Sequence, residues 1–143
     1  MRHDNERGTA LIETALTLPI LLLVTIGIFE FGRAYQTQQV LTNAAREGAR
    51  VAILPAQPSG VVQARVTAYA TAGQIYNPTS AIATVTPTLV SIGGGNTASG
   101  SKVTVTYPYQ FTVLQPVARL VAKKSKVGAA FTMTATSEMR NEQ

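Results

Sequence analysis

The sequence contains no cysteine and no tryptophan, and its single histidine is His3. Without cysteine there is no disulfide bond, no thiolate metal ligand and no cysteine nucleophile, and one histidine cannot form a multi-histidine metal site. We therefore expect neither a cofactor nor a metal. The 143 residues, 45% of them hydrophobic and only 13% charged, suffice for one domain with a modest core. Stability must come from apolar burial or from assembly with other chains.

Acidic residues are scarce after Pro55, where the sequence has only Glu138 and Glu142. Paired-carboxylate, metal-dependent and triad mechanisms each need side chains that this region lacks. Its many serines and threonines belong to no Gly-x-Ser-x-Gly or Ser-x-x-Lys motif. We therefore predict that the protein is not an enzyme.

The excess of basic over acidic residues gives a net charge of +5, but only one short stretch of the sequence has clustered basic residues. Arg119, Lys123 and Lys126 recur at helical spacing, with Lys124 beside them. Such a run is usually a solvated helix face, and no aromatic residues are interleaved with it as in a nucleic-acid site. We keep these four residues as a candidate contact with an anionic surface and expect no nucleic-acid partner.

Charge is also absent from the sixteen residues 14–29, between Glu13 and Glu30. As a helix they span roughly 24 Å, so a membrane segment over about residues 11–32 would be needed to cross a hydrocarbon core of about 30 Å. Apolar side chains lie on all sides of this helix, whereas the buried helix of a soluble protein usually has one apolar stripe. A transmembrane helix is the better prediction.

A cleaved secretory signal is the alternative to a permanent anchor, because Arg2 and Arg7 precede the apolar run. Only Gly32, Arg33 and Ala34 could form a small-residue cleavage site, and the helical pattern continues through them. We expect the segment to stay attached. The short basic N-terminus should remain in the cytoplasm and the rest of the chain should lie outside, which predicts a single-pass protein of the cytoplasmic membrane.

The helical pattern continues to Pro55. A helix over about residues 9–54 would be roughly 69 Å long, far more than one bilayer, so half of it must pack on protein. Ala44, Gly48 and Ala52 recur every four residues, a spacing that allows another backbone to approach closely. This small-residue face could contact the protein's own sheet or a neighbouring subunit.

The remaining residues, 55–143, are rich in valine and threonine, as strands are. A short helix is predicted over 61–72, ended by Gly73. A glycine-rich stretch, 91–101, is predicted to be a mobile hairpin loop. Pro87 and Pro108 indicate edge positions or bulges. Alternating apolar residues predict three strands, near 83–89, 103–111 and 131–136. The predicted fold class is α+β, with the long N-terminal helix packed on a small antiparallel β-sheet.

The N-terminal residues RGTALIE, at 7–13, resemble the processing site of type IV pilin-like proteins, where glycine precedes the cut and glutamate is fifth after it. Gly8 and Glu13 fit that spacing, with Thr9 as the new first residue. Glycine lets a protease approach the backbone closely and favours an extended segment. A carboxylate at membrane depth is costly unless paired, so Glu13 could pair with the amine of an adjacent processed subunit or could reach to the headgroups.

Further residues resemble one branch of that family. FEFGRA at 29–34 and LTNAAREGAR at 41–50 resemble the TadE-like minor pseudopilins of the tight-adherence (Tad, type IVc) pilus system. VTVTYP at 103–108 and ATSEMR at 135–140 are similar to that family's later strands. The resemblance covers most of the chain and is strongest over 8–52.

The resemblance implies a type IV pilin-like fold with a leader at 1–8, a long helix at 9–54 and an exported domain at 55–143. It implies a structural subunit that is cut by a prepilin peptidase and needed to assemble an adhesive pilus for surface attachment and biofilm formation. The expected partners are the membrane, the peptidase, other pilins or pseudopilins and the assembly machinery, with incorporation into an extracellular pilus. The alternative is an unassembled, membrane-anchored extracytoplasmic domain that binds a ligand.

Overall fold

The computed structural model describes residues 2–55, 57–58, 60–121 and 126–141. Their helices and strands, in chain order, are α1 Arg2–Ala52, α2 Val61–Ala72, a 3-10 turn Pro78–Ser80, β1 Ile82–Gly93, β2 Asn96–Tyr109, α3 Leu114–Val121 and β3 Phe131–Arg140. The chain forms two compact units. The first contains the residues up to Arg33 with Gln110–Ala129, and the second contains Ala34–Tyr109 with the residues from Ala130 onward.

Helix α1 is 51 residues long and contains one proline, Pro19. Its threonine side chains do not interrupt it, because their hydroxyls donate to carbonyl oxygens one turn earlier, as Thr14 does to Ala10 (2.8 Å) and Thr25 to Leu21 (2.8 Å). These bonds also give each hydroxyl a partner in an apolar environment. The helix ends shortly before Pro55, which could not have donated to a continuing helix.

The sheet is antiparallel, with strand order β1-β2-β3. The alternating side chains of the central strand put Val103, Val105, Tyr107 and Tyr109 on one buried face. The second half of α1 and α2 supply the other side of this core, which includes Leu41, Ala44, Ala45, Ala49, Val66 and Ala70. The predicted α+β class, a long helix on a small antiparallel sheet, is confirmed.

Neither of the two strand prolines lies between two paired neighbouring strands. Pro87 is in β1, an outer strand. Pro108 is in the central strand, but the pairing of β1 ends at Ile82 with Thr106, so Pro108 pairs only with Thr132 of β3. Its missing N–H therefore removes no bond to β1.

The stretch 91–101 forms the predicted hairpin between the first two strands, but the prediction that all of it is loop is wrong. β1 and β2 stay paired as far as Gly93 and Asn96, and the connection is only Gly94 and Gly95. Gly93, Gly94 and Gly95 all have positive φ angles, which glycine adopts without steric cost, so a very short turn suffices and the flanking residues join the strands.

Candidate functional site

The N-terminal half of α1 is an apolar surface that the first unit leaves uncovered. Its most apolar window has a mean hydropathy of 2.2, and none of that window is buried. Leu11 is 71% exposed and Phe29 is 75% exposed. The helix is long enough and apolar enough to cross a membrane, as one crossing segment near the N-terminus.

The residues of the predicted processing site follow one another on this helix. Gly8 lies inside α1 and not in the extended segment that we expected, because nothing between Arg2 and Glu13 ends the helix. A β-carbon at Gly8 would have no neighbour within 4 Å. Thr9 and Glu13 are exposed. A peptidase that reads an extended strand would thus have to unwind the helix at Gly8, where glycine lowers helix stability by about 1 kcal/mol relative to alanine.

Glu30 is a buried carboxylate that the sequence reasoning treated only as a boundary of the apolar run. It is 5% exposed, and its carboxylate oxygens accept backbone N–H bonds from Val113 (Oε1, 3.0 Å) and Thr112 (Oε2, 3.2 Å). The guanidinium of Arg33 donates to the same Oε2 at 3.1 Å and to the carbonyl oxygen of Gln110 at 3.3 Å. Two charged side chains one turn apart therefore hold the segment before α3.

An aromatic contact supports the same attachment. The rings of Phe31 and Phe111 meet edge to face, with centroids 6.0 Å apart. The sequence signal that could have indicated this cluster is the pair Glu30 and Arg33, spaced three apart at the end of the apolar run. Its partners are more than seventy residues away and are backbone groups, which leave no mark in the sequence.

The small-residue face of α1 packs on the protein's own chain. Ala44 and Gly48 are buried and Ala52 is half-buried. A β-carbon at Gly48 would lie 2.9 Å from Cγ2 of Val66 in α2 and 3.3 Å from Cγ1 of Val103 in β2. Within the chain, Gly48 of this face therefore lies against α2 and β2, and a contact of the face with a neighbouring subunit stays a prediction.

The basic cluster lies partly in the described residues. Arg119 is exposed on α3, and Lys126 is exposed after it, whereas Lys123 and Lys124 lie outside the described residues. Within the described part of the chain, no group of three histidine, cysteine, aspartate or glutamate residues is placed to hold a metal ion.

A long apolar helix packed on a small three-stranded antiparallel sheet is the architecture of pilin-like proteins. Within that class, residues 8–50 match the family model of TadE-like proteins, which confirms the resemblance predicted from the sequence. The matched segment includes Gly8, Glu13, Glu30 and Gly48. No curated protein and no solved structure matches the chain. The match covers less than a third of the chain and indicates similarity to TadE-like proteins of the Tad pilus, a structural rather than an enzymatic family.

Proposed function

We propose that this protein is a pilin-like subunit that a prepilin peptidase cuts between Gly8 and Thr9, and that assembly of a Tad-type adhesive pilus requires it. In the membrane it crosses once, with the N-terminus in the cytoplasm and the exported domain outside. Surface attachment and biofilm formation follow from the pilus. Its partners in this role are the peptidase, other pilins or pseudopilins and the assembly machinery.

One observation carries the proposal: Glu13 is an exposed acidic residue on the uncovered apolar half of α1, within the segment that matches TadE-like proteins. A charged carboxylate in a bilayer costs several kcal/mol unless it is paired, so such a residue indicates function by default. Cleavage after Gly8 would make Glu13 the fifth residue of the mature chain and would create a new amine at Thr9. The amine of one subunit can then neutralise Glu13 of the next.

The peptidase step is tested by determining the N-terminus of the protein extracted from membranes of cells with and without the prepilin peptidase. We expect a start at Thr9 in the first case and an uncut N-terminus that still contains Gly8 in the second. The variant Gly8→Leu should remain uncut. Because a side chain at Gly8 meets nothing within 4 Å, the loss of cleavage would reflect the peptidase and not a disturbed fold.

Gly27→Leu is the matched control. Gly27 lies in the same helix and also has open space around its Cα, so the same substitution should leave cleavage unchanged. Efficient cleavage of Gly8→Leu, or an unprocessed N-terminus in the presence of the peptidase, would contradict the proposal. The second result would favour the alternative, an unassembled membrane-anchored domain that binds a ligand through its lysine-rich face or its glycine-rich stretch.

A further inference from the structure

The segment that follows β2 is attached to α1 where the apolar run ends. Glu30 is the first charged residue after residues 14–29, so in a membrane-inserted α1 the boundary between lipid and water lies near it. The Glu30 carboxylate holds the N–H groups of Thr112 and Val113, which immediately precede α3. The start of α3 is therefore held at the level of the headgroups.

The end of the segment returns to the same place. Gly128 has a φ of +73°, and a β-carbon on it would lie only 2.7 Å from the backbone nitrogen of Gln115. The backbone after α3 thus packs directly on the first turn of that helix, and only glycine fits there. Lys126 and Val127 are consequently held near the start of α3, beside the Glu30 attachment.

The exposed side chains of this segment combine apolar and basic groups. Leu114 and Ala118 form the buried side of α3, whereas Val113, Pro116 and Arg119 are exposed. Val113 is 43% exposed and Val127 is 58% exposed. Residues 110–129 contain four basic residues and no acidic one. The apolar face of α3 is used inside the protein, so the exposed valines flank the helix. Basic groups beside exposed aliphatic ones next to a membrane-spanning helix favour binding to an anionic bilayer surface.

We propose that Val113, Pro116, Arg119, Lys126 and Val127 form a membrane-surface patch that binds the anionic headgroups of phospholipids around the emerging α1. The valines enter the interface, and the guanidinium and ammonium groups contact phosphate oxygens. This inference rests on the membrane insertion in the proposed function, but not on cleavage at Gly8. The lysines at 123 and 124 add charge to the same stretch of sequence.

Because the chain has no cysteine, one cysteine introduced at Val127 and labelled with a nitroxide reports on that position alone. The full chain is reconstituted in nanodiscs of phosphatidylcholine, with or without phosphatidylglycerol. The collision rates of the nitroxide with oxygen, which is enriched in lipid, and with a water-soluble nickel chelate are then compared to tell whether the label lies in lipid or in water. We expect Val127→Cys to contact lipid when phosphatidylglycerol is present. Arg119→Gln with Lys126→Gln should lower the docked-to-undocked ratio about fivefold for each charge removed.

Two further variants serve as controls. Lys102→Gln with Arg140→Gln removes the same charge from the sheet and should leave the Val127 signal unchanged. A nitroxide at Leu22→Cys reports insertion of α1, and an aqueous signal there would contradict the membrane insertion in the proposed function. If the label at position 22 lies in lipid but the label at position 127 lies in water in both kinds of nanodisc, the proposed membrane-surface patch is wrong and the membrane insertion of α1 still stands. Equal lipid contact with and without phosphatidylglycerol would overturn recognition of anionic headgroups.

Discussion

The carboxylate of Glu30 accepts the backbone N–H of Val113 at 3.0 Å, across 83 positions of the sequence. Thr112 and Arg33 bind the other carboxylate oxygen, and the group is 5% exposed. Water therefore cannot replace these bonds if the carboxylate is changed. Glu30, together with Arg33, thus attaches the segment before α3 to α1 within the first unit.

Glu30→Gln should weaken this attachment. The amide keeps one oxygen but turns its NH₂ toward a group that is itself a donor, and a buried N–H without an acceptor costs about 1–3 kcal/mol. We expect faster hydrogen exchange at Thr112 and Val113. Glu47→Gln is the control, because Glu47 pairs with Arg50 and Arg65 at the surface, where such pairs contribute less than about 1 kcal/mol. Unchanged protection in Glu30→Gln would show that these bonds contribute little.

Glu13→Ala should leave membrane insertion intact or improve it, because a charge is removed from an apolar helix, and should reduce pilus assembly. Glu13→Gln keeps the shape and the hydrogen-bonding capacity without the charge. If an ion pair with a neighbouring amine matters, both variants should assemble poorly. Insertion is measured by carbonate extraction and assembly by the amount of surface pili. Normal pili from both variants would mean that Glu13 is only tolerated at the interface.

Gly48→Leu should destabilise the second unit. The first added carbon already meets Val66 at 2.9 Å, and overpacking of this kind typically costs about 1–3 kcal/mol. The melting temperature and the resistance of the domain to protease should both fall. Arg46→Leu introduces the same side chain at an exposed position of α1 and should have little effect. If Gly48→Leu left the domain resistant but abolished assembly, the important contact at this position would be with another subunit.

A destabilising substitution at Gly73 should be compensated in part by a smaller side chain at Val40. A β-carbon at Gly73 would lie 2.4 Å from Cγ1 of Val40, while the φ of Gly73, −77°, is one that alanine adopts without strain. Gly73→Ala should therefore destabilise the protein through the clash alone, by about 1–3 kcal/mol. Adding Val40→Ala removes the clashing methyl groups, so the double variant should be more stable than additivity predicts. Additive changes in the free energy of unfolding would show that the helices shift apart instead.

Local patterns in the sequence were sufficient for the elements and for the family. The apolar run, the stop at Pro55, the α2 helix ended by Gly73 and the alternation in β2 and β3 each depend on near neighbours in the chain. The structure has all of them. The TadE-like resemblance was strongest over residues 8–52, where the family match lies, whereas the match does not extend to the similar segments at 103–108 and 135–140.

Two predictions were wrong because glycine residues in the sequence indicated a loop or an extended segment where the structure has a strand or a helix. Glycine and serine after Val90 indicated a mobile loop, but strand pairing extended through these residues because three glycines could close the turn. Gly8 indicated an extended segment, but α1 continues through it, because one glycine costs a helix only about 1 kcal/mol relative to alanine.

By itself the sequence determined which segments are apolar, helical or extended, because these properties depend on side chains a few residues apart. Only the tertiary structure decided the partners within the chain: Gly48 packs on α2 and β2, and Glu30 binds the backbone ahead of α3. The physical reason is that small side chains such as glycine and alanine allow close packing against many different segments, and a carboxylate can accept a hydrogen bond from any N–H group. Their partners follow from how distant segments pack, and no local pattern records that.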